Sequence, residues 1–558
     1  MLPLLEFKQA ITNDIALSNW NRSTDICQWK GVRCNPKNRG RVTALNLAGQ
    51  DLSGTISVSV GNLTFLRTLN LSNNRFSGQI PPLNSLQKLR VLDLSTNSLE
   101  GNIPDTITNC SSLRFLWLYD NSLVGSIPPN IGQLSYLSDF DLSSNSLTGT
   151  IPPTLRNITG LNLINLNSNQ LSGGIPSFLF NLSSLKILDL GTNTLGKTLP
   201  SNMGDRLVRL QFLSLAGNQI EGRIPSSLGN ASELQKIDLS LNGFSGPIPA
   251  SLGNLQGLTT LGLSSNSFSG TVGEWLGNLE NLRSLHLQDN NFTGPIPSSV
   301  GNLKQLLSLS LAKNKFEGPI PSNLGNLQQL ADLDFSYNEL QGNIPDDVFT
   351  LPRLRTCVLS YNNFKSPIPL DFSKLQQLSK LSLSSNALTG YIPDSIGECE
   401  MLETIDMDKN FLTGNIPVSF SKLNSLNTLN LSHNNLSGSI PIILTELQYL
   451  HQLDISFNHF DGAVPGNGVF ANATAVSLEG NWGLCGGAIV LHMPPCPTNS
   501  KRVDRQYYLI KILIPIFGFM SLALLVYFLL LEKTSARRSQ HCRYLLMTSN
   551  FLMLLIKI

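Results

Sequence analysis

The stretch Leu113-Arg-Phe-Leu-Trp-Leu-Tyr-Asp-Asn121 decides the fold. Its pattern, L-x-x-L-x-L-x-x-N, returns with the closing Asn at 74, 97, 121, 145, 169, 193, 218, 242, 266, 290, 314, 338, 362, 386, 410, 434 and 458. The step is 24 residues apart from one of 23 and one of 25, and a degenerate copy with Leu45, Leu47 and Gln50 in register makes eighteen units. Such periodicity marks a stack of repeats. The L-x-L pair reads as a short strand with alternate side chains on a buried face. The Asn suits a turn, where its amide can bond backbone groups that the bending chain leaves unpaired. Next come Phe or Leu, then Gly, then Ile-Pro, as in Phe76 to Pro81 and Phe292 to Pro297. Gly accepts unusual backbone angles and Pro stops a regular element. One unit cannot bury its own apolar side, so the units stack as a β-solenoid. Eighteen strands make a concave parallel sheet of roughly 85 Å.

Composition agrees with this reading. A length of 558 residues suggests three or four ordinary domains, yet only 14% of residues are charged, low for a globular enzyme. Hydrophobic content of 41% excludes a disordered chain, and a net charge of +2 gives no reason to expect a nucleic-acid partner. Eight Cys are too few for a disulfide-built scaffold of this size.

Across residues 42–465 the units resemble the plant-type leucine-rich repeat, L-x-x-L-x-L-x-x-N-x-L-x-G-x-I-P. The resemblance implies a right-handed superhelix with extra strands after the main sheet and short helical turns on the convex side. Gly270-Thr-Val272-Gly273 lacks the Pro, which puts its local turn in doubt. Residues 1–41, with Cys27-Gln-Trp29-Lys-Gly31-Val-Arg-Cys34, look like the family's amino-terminal cap. Residues 466–500, with Asn481-Trp-Gly-Leu-Cys485 and Pro494-Pro-Cys496, look like its carboxy-terminal cap and linker. The resemblance implies disulfide bonding for Cys27, Cys34, Cys485 and Cys496. Read from the residues alone they could also be buried thiols, and no Cys-x-x-Cys or His cluster accompanies them to hold a metal. No cofactor is expected.

Sequons for N-glycosylation stand at Asn21, Asn62, Asn70, Asn109, Asn157, Asn181, Asn230, Asn291, Asn430, Asn435 and Asn472. Asn62, Asn109, Asn157, Asn181 and Asn230 each follow a ladder position by twelve residues, on the outer part of the coil, where sugar leaves the concave face clear. With the Cys pairs they favour an extracellular compartment.

Residues 512–531 read ILIPIFGFMSLALLVYFLLL without a charge. This predicts one transmembrane helix within a region 507–531, a single-pass plasma-membrane anchor with the repeats outside and residues 532–558 as a cytoplasmic tail. No secretory leader precedes the cap motif at Leu4, which we read as a truncated start. The tail carries no Gly-rich loop, H-R-D or D-F-G, so the chain itself is not read as an enzyme. A one-nucleotide shift of codons allowed for Met547 to Ile558 can spell a string similar to the family's lead-in to its kinase domain, so a frame slip is a second expectation.

Ligands of a solenoid usually sit on the concave sheet. Most x positions are small and polar here, and four departures stand out. Unit four offers Arg114, Trp117, Tyr119 and Asp120; unit eleven Arg283, His286, Gln288 and Asp289; units thirteen and fourteen Tyr337, Arg355 and Tyr361. Unit sixteen is acidic, with Glu403, Asp406 and Asp408 beside Lys409. Aromatics and Arg dominate binding hot spots. The Asp residues at 93, 141, 189, 238, 334, 406 and 454 recur at one place and read as architecture rather than as acid–base groups.

The 25-residue unit around Leu195 to Asp205, and Gly397 to Asp406, resemble the immune-receptor branch of the plant leucine-rich-repeat receptor-like kinases. That implies recognition of an extracellular peptide or protein ligand and pairing with a leucine-rich-repeat co-receptor kinase. The function expected is a kinase-less receptor-like protein of immunity or development that signals through partner kinases. The alternatives are a decoy or non-functional fragment of a receptor kinase, and an extracellular enzyme inhibitor of the repeat class. The inhibitor reading is disfavoured by the number of units and by residues 512–531.

Overall fold

The computed structural model describes residues 1–497, 520–524 and 526–527. Met1–Pro494 form one unit, and the few described residues beyond it belong to a second. In the first unit each repeat contributes a three-residue strand, as in Thr68–Asn70, Val91–Asp93, Phe115–Trp117 and Asp139–Asp141. These pair in parallel, in register, down to Val476–Ser477 in a sheet of 20 strands. The middle residue of each points inward: Leu92, Leu116 and Phe140 are fully buried, as are Leu94, Leu118 and Leu142 beyond them within about a percent. The sequence pattern therefore becomes one continuous core.

The Asn ladder closes each turn. Asn121 Nδ2 donates to the Leu94 carbonyl of the preceding coil (3.0 Å) and to Leu118 and Tyr119 in its own (3.1 and 3.2 Å). Its Oδ1 accepts the Leu99 N–H of the preceding coil at 2.9 Å. One amide thus ties two coils together where neither strand pairing nor a helix satisfies the backbone. The same bonds are made by Asn481, which reaches Ile455, Leu478 and the Phe460 N–H. The ladder therefore continues into the segment read as carboxy-terminal cap. Its signature, Val476-Ser-Leu478 before Asn481, was masked by Val in place of the first Leu.

The residue before each ladder Asn takes a left-handed conformation, from Asn73 (φ 53°) to Phe457 (φ 51°). A second set of strands follows, among them Arg75–Gln79, Ser98–Asn102 and Ser122–Ser126. Then Ile-Pro opens a 3₁₀ turn such as Ser298–Asn302, with Pro297 extended at its head (φ −64°, ψ 139°). The doubt over Gly273 is resolved: it is extended as well (φ −84°, ψ 169°) and the turn Glu274–Asn278 forms. The Glu274 carboxylate accepts the Ser299 and Ser298 N–H groups of the next coil at 2.8 and 3.2 Å; the Ser299 side chain first, and then these N–H groups, lower its pKa from the ordinary value.

At the amino end, helix Leu2–Gln9 buries Leu4 and Phe7, and Trp20 stacks on Trp29 at 5.2 Å. Cys27 and Cys34 form a disulfide. The strand Val32–Asn35 runs antiparallel to Asn38–Asn46 and covers the first edge of the parallel sheet. Cys485 and Cys496 are both disulfide-bonded. Cys110, Cys357 and Cys399 are free and buried, and burial pushes each thiol up to about 12.

The transmembrane helix is a correction. Among the described residues no helix is long and apolar enough to cross a membrane. In the stretch 507–531 the described helical residues are 520–524 and 526–527. The rest of that stretch, and the expected tail 532–558, lie outside the described residues.

Candidate ligand-binding face

Residues at both ends of each three-residue strand face the concave side, and the register sets their neighbours. Trp117 lies between Asp93 and Asp141 of the flanking strands. It is half-buried and tilts against Phe115, with centroids 5.5 Å apart and planes at 52°. Arg114 is exposed before the strand; Tyr119 and Asp120 are exposed after it. His286 lies between Gly262 and Ser310. Burial lowers its pKa, with Asp238 and Asp332 pulling the other way, so its imidazole is held toward the neutral form. Arg283 and Asp289 are exposed, and Asp289 accepts from Ser265 Oγ at 3.1 Å.

Tyr337 and Tyr361 stack face to face at 4.1 Å with planes 9° apart, and remain 47% and 42% exposed. Desolvation, and then the bond between the two hydroxyls, raise the Tyr337 pKa. Both are the left-handed residues before a ladder Asn (φ 54° and 57°). Asp120 and Asp289 hold the same place (φ 55° and 60°), which Asp tolerates well and Tyr takes rarely. Asp at this place is therefore accounted for by the turn itself, while the turn does not call for Tyr, whose side chain is free to serve the surface. Arg355 precedes its strand while Tyr361 follows it, and no bond or ring contact joins them among the described residues.

The clusters do not merge into one pocket. Seven strand steps separate Trp117 from His286, about 34 Å at the usual spacing. They form a row along the sheet. Two features went unnoticed in the sequence. His433 and Phe457 make a second stack at 4.3 Å, at the same left-handed place as the tyrosines. Arg67 and Arg90 line up with Arg114 in successive coils. Reading each repeat position down the whole stack, rather than each unit across, exposes both.

The recurring Asp residues serve the turn. Asp93, Asp141, Asp334 and Asp454 each accept the N–H and hydroxyl of the Ser two residues on, at 2.6–3.2 Å. Asp406 departs, with Asp408 where the Ser would stand. Burial first, then Asp408, push its carboxyl up, while Lys380 opposes them. A raised folded pKa means stability that is full below the unfolded value and lost as pH rises through the folded one. Asp406→Asn is therefore expected to raise stability at pH 7 by less than about 1 kcal/mol, with the gain vanishing below about pH 4. Thermal melts at the two pH values check it.

Sequence patterns of known families match this architecture: a leucine-rich repeat N-terminal domain at residues 3–35, a leucine-rich repeat region at 66–194, and leucine-rich repeats at 232–292 and in further segments as far as 447. A solved plant peptide hormone receptor, RGFR1 in complex with RGF2, is 33% identical over 78% of this chain and 78% of its own, with a TM-score of 0.69. The chain belongs to the plant leucine-rich-repeat receptor-like kinase family. Within that family, the Arabidopsis receptor kinase HAESA, solved with the peptide hormone IDA and the co-receptor SERK1, is 29% identical over 87% of this chain and 98% of its own, with a TM-score of 0.64. The LRR receptor-like serine/threonine-protein kinase EFR of Arabidopsis thaliana is 48% identical over 84 residues. The chain covers 7–8% of the length of the first curated relatives it matches, so the kinship rests on the repeats and the amino-terminal cap, the non-catalytic part of such receptors.

Proposed function

We propose that this chain is the ligand-recognition ectodomain of a cell-surface receptor of plant immunity or development. It binds a peptide or protein on its concave sheet and signals through a leucine-rich-repeat co-receptor kinase. One observation carries the reading: on a face lined mostly by small polar residues, Trp117 stands half-buried and Tyr337 and Tyr361 stack face to face with 47% and 42% of their surface exposed. The likeness to receptors solved with peptide hormones supports a peptide ligand, and the SERK1 complex of HAESA supports a co-receptor.

An extracellular location is supported by the sequons. Asn62, Asn109, Asn157, Asn181 and Asn230 are each exposed at the end of a 3₁₀ turn away from the concave strands. Asn70 and Asn430 instead sit in concave strands, half-buried and bonded to Ser72 and Ser432, and are poor sugar sites.

The test is binding of the purified chain to peptide fractions of bacterial extracts. Trp117→Ala and Tyr361→Ala are each expected to weaken capture by about 30-fold, the loss of a hot spot worth roughly 2 kcal/mol. Unchanged capture by both variants would remove the concave-face reading.

A further inference from the structure

Arg67, Arg90 and Arg114 hold the same place in three successive coils: the Arg90 N–H donates to the Arg67 carbonyl and the Arg114 N–H to the Arg90 carbonyl, each at 2.8 Å. Two residues before Arg67 and Arg90 stand Phe65 and Lys88, and Arg41 holds that place in the coil before them. The Arg41 guanidinium and the Lys88 ammonium cover the Phe65 ring at 4.3 and 4.4 Å. All five cations are exposed, and among the described residues none has an ion-pair partner. The acids of these coils are placed elsewhere. Asp51 holds Arg75 at 2.7 Å, Asp93 is buried under Ser95, Glu100 and Asp105 lie in the second strand set and the outer turn, and Asp120 lies in the turn after its strand.

Like charges opposite one another in a sheet destabilise it, and a fold gains nothing from stacking three unpaired guanidinium groups. We propose that this amino-terminal flank takes an acidic segment of an extended peptide, its carboxylates paired with Arg67, Arg90 and Arg114. The proposal rests on the concave-face reading and adds the ligand's charge. Three coils span about 10 Å, the length of about three extended residues. Arg forks bind carboxylates through two parallel bonds, and the touching, half-buried rings of Phe115 and Trp117 lie beside them as an apolar surface for a neighbouring side chain. A polyuronate would carry the same charge, but the Phe65 ring is covered by its two cations, and Phe115 and Trp117 form no flat platform for a sugar ring.

The experiment is selection on the full chain from a display library of random peptides about ten residues long, followed by titration of the retained peptides. Enrichment in Asp and Glu is expected, with affinity falling as salt rises. R67S/R90S/R114S should lose about tenfold, the sum for three exposed pairs. The corresponding Lys variant should recover part of that loss. Lys186→Ser, an exposed cation in the same column three coils on, should change nothing. Retained peptides without acidic enrichment, or equal retention by R67S/R90S/R114S, would overturn the proposal and leave the concave-face reading standing. Binding of oligogalacturonate through the arginines, without acidic peptides, would overturn it in favour of a polysaccharide. If no peptide is retained at all, both readings fall.

Discussion

Asn338→Ala is expected to destabilise the central repeats by about 3–5 kcal/mol. The wild-type amide donates to Leu311, Phe335 and Ser336 at 3.0–3.2 Å and accepts the Phe316 N–H at 3.0 Å, all in a buried setting. The three carbonyls keep second donors: Asn314 on Leu311, Asn362 on Phe335 and the Lys313 N–H on Ser336. The Phe316 N–H keeps nothing. The cost is therefore one orphaned donor, about 1–3 kcal/mol, plus three net hydrogen bonds at roughly 0.5–1 kcal/mol each. Denaturant unfolding measures the total, and hydrogen exchange should show the opening confined to the coils on either side, since a solenoid couples nearest neighbours. A loss below about 1 kcal/mol would mean that the ladder is not the tie between coils.

Phe292→Ala is expected to cost about 3–5 kcal/mol. Phe244, Phe268, Phe292 and Phe316 stack through four coils at centroid separations of 5.9–6.1 Å, all fully buried. Removing the third ring leaves a cavity between two others that the rigid spacing of coils prevents from closing. Phe292→Leu is expected to cost less than about 1.5 kcal/mol, because Leu99, Leu123 and Leu147 fill the same place, fully buried, in other coils. Equal melting temperatures for the two variants would show that ring stacking and volume do not matter there.

The ladder, strands and turns were legible because each is written about once per 24 residues. A residue repeated that often has the same neighbours in every coil, so its role follows from the pattern. The candidate site was legible only in part. Trp117, Tyr337 and Tyr361 stood out as departures from the pattern, yet Arg67 and Arg90 passed unnoticed because each is ordinary in its own unit. Asp120 and Asp289 stood out too, although their left-handed backbone gives a local reason for Asp. The transmembrane helix, read from hydropathy alone, is the part the structure corrects.

The sequence by itself determined the solenoid, its parallel strands and the buried set of Leu, Phe and Asn, because burial and backbone satisfaction act within one coil and its neighbour. Only the tertiary structure decided which side chains share a surface. Register places residues 24 apart in direct contact. Hence the columns of Arg67, Arg90 and Arg114, the stacked tyrosines and the His433–Phe457 pair exist only once the coils are laid on one another.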